Sequence, residues 1–291
     1  MLTRCALLSA LLIAPLPVVV HAMPAAVSCP APGQWIDASG LPVSAGDALA
    51  RAAGAQTVLL GEEHASAAHH LWQRDMIEAL AASGPLVIGL EQLSREAQPA
   101  LDRWVAGATD EAQFLAESRW AELWGHDFAA YRPVFALARA RGIPMQALNV
   151  DRAFVRKVGR EGFDKAAADG KAPISRPATA DPAYVLRLEA AFRQHKREAS
   201  PEALARFVDA QTVWDRAMAE AIVRALRNQP GARVAAIMGW GHVAHGHGVA
   251  HQLKDLGATA VLTAIPVAGG ASCAPAAGAA DLLFGIDTKA R

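Results

Sequence analysis

Apolar residues in this chain fall into two rhythms that take turns. Five short runs, at 57–60, 86–90, 144–148, 233–238 and 259–265, are almost wholly apolar and bounded by turn or polar residues, which predicts strands buried on both faces. Between them the spacing is helical. Ala68, Leu71, Trp72, Met76, Ala79 and Leu80 mark one face of a helix that Ser83-Gly84-Pro85 closes. Ser200-Pro201-Glu202 opens a longer helix, with Ser as N-cap and Pro at the first helical position. Its apolar line runs through Phe207, Trp214, Met218, Ile222 and Leu226 to Asn228-Gln229-Pro230-Gly231. Strands alternating with helices predict an α/β fold, a mostly parallel sheet flanked by helices.

The segment 95–141 breaks the alternation. It carries Trp104, Phe114, Trp120, Trp124, Phe128, Tyr131 and Phe135, too many aromatics for one amphipathic helix, and predicts an aromatic-rich helical cap of two or three helices over the strand ends. Residues 159–181 have no period and read as a loop or surface insertion. The resulting division is 1–22 signal segment, 23–40 N-terminal tail, 41–267 folded domain and 268–291 small-residue tail.

The strands end on chemistry. The first runs into Gly61-Glu62-Glu63-His64, the second ends at Glu91, the third at Asn149, and the fourth runs into Gly239-Trp240-Gly241-His242. Parallel strands point their carboxyl ends at one crevice, so Glu62, His64, Glu91, Asn149 and His242 are predicted to share a pocket. There an imidazole can act as base or metal ligand and a carboxylate can orient it or bind a cation. The plainer alternative has Glu62 and Glu63 complementing a helix dipole, with Glu91 emerging into solvent.

Further candidates lie outside the strand ends. His245, His247 and His251 follow His242, the last two one helical turn apart as in a metal clip, or simply on a His-rich surface turn. In the cap, Trp124 can wall the pocket while Tyr131 and Arg132 offer it a phenol and a guanidinium. Asp215 is a partner for a pocket histidine or a solvated face residue, and His69 and His70 read as solvated.

The chain has 291 residues, 53% of them hydrophobic, with 28 Lys plus Arg against 28 Asp plus Glu. With no net field, nucleic acid is excluded as a partner. Arg4, the apolar run 6–20 and Val20-His21-Ala22 describe a secretory signal cleaved after Ala22. Ala26-Val27-Ser28 before Cys29 is the alternative, a degenerate lipid-attachment box. Export leaves Cys29 and Cys273, an even pair that predicts a disulfide between the two ends of the chain; lipidation at Cys29 excludes it, and the disulfide is the favoured reading. There is no Gly-x-Ser-x-Gly elbow, His-Glu-x-x-His helix, phosphate loop or Cys-x-x-Cys-His haem attachment, so any haem is held noncovalently.

Seven blocks in order carry a family resemblance: Leu59-Leu60-Gly61-Glu62-x-His64, Gly89-Leu90-Glu91-Gln92, Gln98-Pro99-Ala100-Leu101, Trp124-x-x-Asp127-x-x-Tyr131-Arg132-Pro133, Ala147-Leu148-Asn149, Trp214-Asp215-x-x-Met218-Ala219 and Gly241-His242-Val243. Together they resemble the ChaN-like haem-binding uptake proteins. The resemblance implies an exported periplasmic protein, often a lipoprotein, that binds haem between paired subunits as a homodimer and serves iron uptake alongside an outer-membrane haem receptor system. It implies a late Tyr as iron ligand. This chain instead reads Ala244-His245-Gly246-His247-Gly248 there, so His245 or His247 is the expected iron ligand, with Tyr131 and Arg132 as further haem contacts. The wider group looks like one containing erythromycin esterases and membrane-tethered proteases. On that side the resemblance implies a hydrolase, with or without a divalent metal ion at His64 and Glu91, using Glu62, His64, Glu91 and His242.

Overall fold

A computed structural model describes residues 29–168, 170–195, 200–269, 273, 275 and 278–287. The signal segment and both processing motifs, Cys29 apart, lie outside the described residues. Eight strands are found among the described residues: β1 Trp35–Asp37, β2 Pro42–Val43, β3 Thr57–Glu62, β4 Leu86–Ser94, β5 Met145–Asn149, β6 Arg233–Gly239, β7 Val261–Ala268 and β8 Leu282–Ile286. They form one sheet in the order β2-β1-β8-β7-β3-β6-β4-β5, parallel from β8 to β5, with β1 antiparallel to both β2 and β8.

Both faces of the sheet are covered, which is why its central strands are apolar without alternation. Val58, Leu60, Ile88, Leu90 and Ile237 pack on one side beneath the helices Ala67–Ala82 and Phe128–Arg141. Leu59, Val87, Val234, Ala236 and Met238 pack on the other against the helices Pro201–Asn228 and Val249–Asp255. Three of these helices begin at a side-chain cap. Ser66 accepts from the His69 amide, Asp127 from Ala129 and Ser200 from Ala203, the last followed by Pro at the first helical position.

The cap is a run of helices, Gln98–Val105, Glu111–Ser118, Trp120–Leu123 and Phe128–Arg141, stitched by aromatic contacts. Phe128 and Phe135 lie 5.0 Å apart edge to face, and Trp104 donates its indole N–H to the Phe135 carbonyl at 2.9 Å. No helix among the described residues is long and apolar enough to cross a membrane.

Two expectations are corrected. The segments read as tails supply β1 and β8, which extend the sheet. Their low-complexity surroundings hide strands only three and five residues long, too short to give a long apolar run. Within 159–181, Phe163–Ala166 is a short helix and Ile174 is buried, so this stretch packs against the domain instead of looping away from it. A disulfide joins Cys29 to Cys273 with 5.6 Å between their Cα atoms, fastening the start of the described chain beside the last strands.

Candidate functional site

Insertion of β6 between β3 and β4 builds the site. Glu62 closes β3 opposite Gly239 of β6, and Glu91 follows the Leu90–Ile237 pair between β4 and β6. Glu62 of β3, Glu91 of β4 and the histidine after β6 are therefore gathered at one end of the sheet although they lie up to 180 positions apart. The crevice is a cleft of about 280 Å³ whose wall includes His64, Glu91, Gln92, Trp124, Asn149 and His242.

Glu62 is buried and saturated. Tyr131 donates its hydroxyl to Oε1 at 2.6 Å and Gln92 its amide at 3.3 Å, Gln73 donates to Oε2 at 3.0 Å, and His64 Nδ1 lies 2.8 Å from Oε1. Burial on its own would raise the carboxyl; hydrogen bonds from His64, His70 and Tyr131 outweigh it and hold Glu62 well below the usual carboxylate range. With Nδ1–H donated to a carboxylate, the neutral His64 ring presents a bare Nε2 toward the cleft. Burial acts to lower His64, but the Glu62 hydrogen bond and the charge of Glu91 leave it above its ordinary value.

A second carboxylate–imidazole pair faces the first. His242 Nδ1 is 2.7 Å from Asp215 Oδ1, and Tyr184 donates to Asp215 Oδ2 at 2.8 Å. Burial opposes the charge on His242, yet Asp215 and Glu91 push it up to about 9, so this ring is an imidazolium at neutral pH. Glu91 stands between the pairs: Oε2 accepts the Gly239 N–H at 2.6 Å, and Oε1 lies 3.6 Å from His242 Nε2. Gly239 is glycine for contact reasons. A Cβ there would come within 2.8 Å of His64 Cε1.

The other predicted residues sort cleanly. Asn149 lines the cleft and donates to the Glu91 carbonyl at 3.1 Å; Trp124 meets His64 edge-on at 4.7 Å. Tyr131 is not a cleft contact, since it is fully buried behind Glu62, and burial beside that carboxylate raises its phenol far above the ordinary value. Arg132 turns to the outside and pairs with Glu111 at 2.7 Å, because neighbouring helix positions point about 100° apart. His69 and His70 are buried, not solvated: His69 Nδ1 accepts the Glu63 amide at 3.0 Å and is lowered to about 4 by burial, while His70 stacks on Tyr131 at 3.9 Å.

His245 and His247 lie outside this cleft, on the turn after His242, with rings nearly parallel at 5.5 Å. His245 has a left-handed backbone, φ 60°, and an exposed side chain. Its Nδ1 meets the Gly278 carbonyl at 3.1 Å, and a carbonyl can only accept, so Nδ1 carries the proton and Nε2 keeps its lone pair. Burial and nearby Arg187 lower both rings, leaving them neutral at pH 7. His251 is tied instead to the Thr179 carbonyl at 2.9 Å.

Among the described residues, no group of three His, Cys, Asp or Glu side chains is arranged to hold a metal ion. The donor set says why. Both Glu62 oxygens are taken by protein donors, and Glu91 is held by a backbone amide and an imidazolium, which disfavours a divalent ion at His64 and Glu91.

Sequence reasoning missed Gln73, Gln92, Tyr184 and Arg152. Only Gln92 carried a signal, as the polar residue after Glu91 in an otherwise apolar strand.

Residues 48–253 match the family described as haem-binding uptake, Tiki superfamily, ChaN. The structure is similar to that of ChaN of Campylobacter jejuni solved with cofacial heme binding, at a TM-score of 0.68 and 16% identity over 86% of this chain and 95% of that one. It is also similar to the type III effector HopBA1, TM-score 0.48 and 13% identity over 91% and 98% of the two chains. An erythromycin esterase mutant, EreC in its open conformation, has a TM-score of 0.45 and 13% identity over 73% and 70%. No curated protein matches the chain. With a family match over most of its folded length and the fold to accompany it, this chain belongs to the ChaN family of haem-binding uptake proteins within the Tiki superfamily.

Proposed function

We propose that this protein is an exported, periplasmic haem-binding protein of bacterial iron uptake, ligating haem iron noncovalently through His245 on the turn after β6. One observation carries the reading: the exposed His245 ring, neutral and oriented by the Gly278 carbonyl, keeps Nε2 available to iron. A haem bound there receives an axial imidazole from this chain. His247 stacks beside it as the second imidazole, and Arg187, which lowers both rings by its charge, is the cation suited to a propionate. An exposed ligand leaves the far face of the haem to be covered by a second subunit, in keeping with the pairing that the family resemblance implies. The Cys29–Cys273 bond supports an oxidising compartment, and a sulfur engaged there is not lipid-modified. Haem delivery from an outer-membrane receptor system completes the proposal.

The test is a haem titration of the mature protein followed in the Soret region. A saturable shift is expected, lost in His245→Ala and retained in His64→Ala; no saturable change, or one untouched by His245→Ala and His247→Ala together, overturns the reading.

A second reading belongs to the cleft and is favoured by its paired carboxylate–imidazole units. In it the cleft hydrolyses an ester: His64 Nε2 takes a proton from water as the hydroxide adds to the carbonyl, the His242 imidazolium stabilises the oxyanion, and its collapse breaks the ester C–O bond, the alcohol leaving with the proton that His64 had taken. Glu62 and Asp215 fix the two rings. Ester turnover that falls at least about 100-fold in His64→Ala supports it; wild-type rates in that variant dismiss it.

A further inference from the structure

One cation on the cleft wall has no task in either reading. Arg152 opens the helix Arg152–Glu161 at the mouth, half-buried, and the cap of that helix is already supplied by Asp151, which accepts from the Ala153 amide at 2.8 Å. Its guanidinium has no hydrogen-bond or ion-pair partner among the described residues. The acidic side chains nearest the cleft are committed elsewhere, Glu62 to its four donors and Glu91 to the Gly239 amide and His242. A second group is also unused. Gln92, only 3% exposed, gives its amide N–H to Glu62, which orients its carbonyl oxygen the other way, and that buried Oε1 has no protein donor. A buried acceptor without a partner costs about 1 to 3 kcal/mol, so an O–H or N–H from a bound molecule is what this position lacks.

From these two groups we infer that the cleft binds a small organic carboxylate that also carries a hydroxyl or amine donor, its carboxylate on Arg152 and its donor on Gln92 Oε1. The inference rests on the cleft being a ligand site, and as a substrate assignment it rests on the hydrolytic reading above. Size agrees with it. At about 280 Å³ the cleft lies at the lower end of ligand pockets, which span roughly 300 to 1,000 Å³, and suits a compact acid better than a macrocycle. The fork of a guanidinium matches a carboxylate in two parallel hydrogen bonds. Trp124 and Trp214 supply apolar wall for the carbon skeleton.

The test uses full-length mature protein and three probes of similar size: malate, its neutral diamide malamide, and succinate, which has the charge without the hydroxyl. Trp124 and Trp214 report binding by fluorescence. Malate is expected to bind at least tenfold tighter than malamide and measurably tighter than succinate, and Arg152→Gln to bring malate and malamide within threefold of one another. Absence of saturable quenching by malate, or a malate preference that survives Arg152→Gln, overturns the inference. Circular dichroism of Arg152→Gln guards against misfolding, and Arg152→Lys, which keeps the charge without the fork, should retain part of the preference. Turnover of a singly esterified dicarboxylate and of a neutral ester of equal length separates the two claims. Malate binding with no turnover of either ester keeps the carboxylate site and removes the hydrolase; equal turnover of both esters without malate binding does the reverse.

Discussion

Tyr131 donates its hydroxyl to Glu62 Oε1 at 2.6 Å, joining the cap helix Phe128–Arg141 to the end of β3 across 69 positions of sequence. Both groups are fully or almost fully buried, so this bond locks the roof of the cleft to its floor. Tyr131→Phe keeps the ring and its stacking on His70 but removes one donor from a buried carboxylate. A loss of about 1.5 to 3 kcal/mol is expected, read from urea unfolding at pH 7, because hydrogen bonds to charged groups are worth that much. No change in midpoint would show that Glu62 is held by the remaining donors alone.

His242 makes stability depend on alkaline pH. Its folded value of about 9 lies above the unfolded value of about 6.5, so the folded chain holds a proton that the unfolded chain releases between them. The contribution is complete below pH about 6.5 and disappears as pH rises through about 9, on the order of 3 kcal/mol in total. Glu62 has the opposite sign: its lowered value stabilises above about pH 4.3 and that contribution fades as pH falls further. Unfolding midpoints measured from pH 4 to 10 should therefore slope down above 6.5, and Asp215→Asn should flatten that limb. An unchanged slope in the variant would detach His242 from Asp215.

Gly239 should not tolerate a methyl group. In Gly239→Ala the new Cβ would lie 2.8 Å from His64 Cε1, forcing the ring off Glu62. Since the Glu62 hydrogen bond is what raises His64, its titration followed by imidazole proton resonances should move down toward about 6.5. A cost of about 1 to 3 kcal/mol is expected from the crowding. Identical His64 titration in both proteins would mean that the ring accommodates the methyl in place.

Haem association should persist into mild acid. His245 is lowered from its ordinary value by burial and by Arg187, so its imidazole stays deprotonated below pH about 6.5. Soret-followed binding should lose half its amplitude on the acid side of that value. A midpoint above it would assign the iron to a different ligand.

Reduction should loosen the ends of the chain. The Cys29–Cys273 bond spans 244 residues, and closing so long a loop contributes about 3 to 5 kcal/mol in the chain-entropy model. Cys273→Ser should lower the unfolding midpoint by a corresponding amount in non-reducing buffer, and two free thiols titrated in unreduced wild-type protein would contradict the bond.

Much of the cleft was legible because parallel strands are apolar until they end. The runs at 57–60, 86–90 and 233–238 terminate beside Glu62, Glu91 and His242; Glu91 and His242 face one another in the cleft, and Glu62 lies buried behind its wall, held to His64 and Gln92. β8 was not legible: Leu282–Ile286 is a run of five residues set among small ones, too short to stand out. Tyr131 and Arg132 were legible as a pair of polar groups near the cap but not in direction. A turn of about 100° per residue sends one into the core and the other to Glu111.

Residue order along the chain determined the α/β class, the strand ends and the identity of the ionisable groups, since burial on both sheet faces demands uninterrupted apolar runs and makes their polar termini conspicuous. The pairing of Glu62 with His64 is local, two positions apart in one motif, whereas the assignment of Asp215 to His242 and the place of Glu91 were decided by the tertiary structure. Asp215 with His242, and Glu91 between that pair and His64, follow from β6 inserting between β3 and β4, and from the helix Pro201–Asn228 crossing behind it. Hydrogen-bond partners and pKa values arise from distances of a few ångströms, and contacts between residues tens to hundreds of positions apart leave no local periodicity to read.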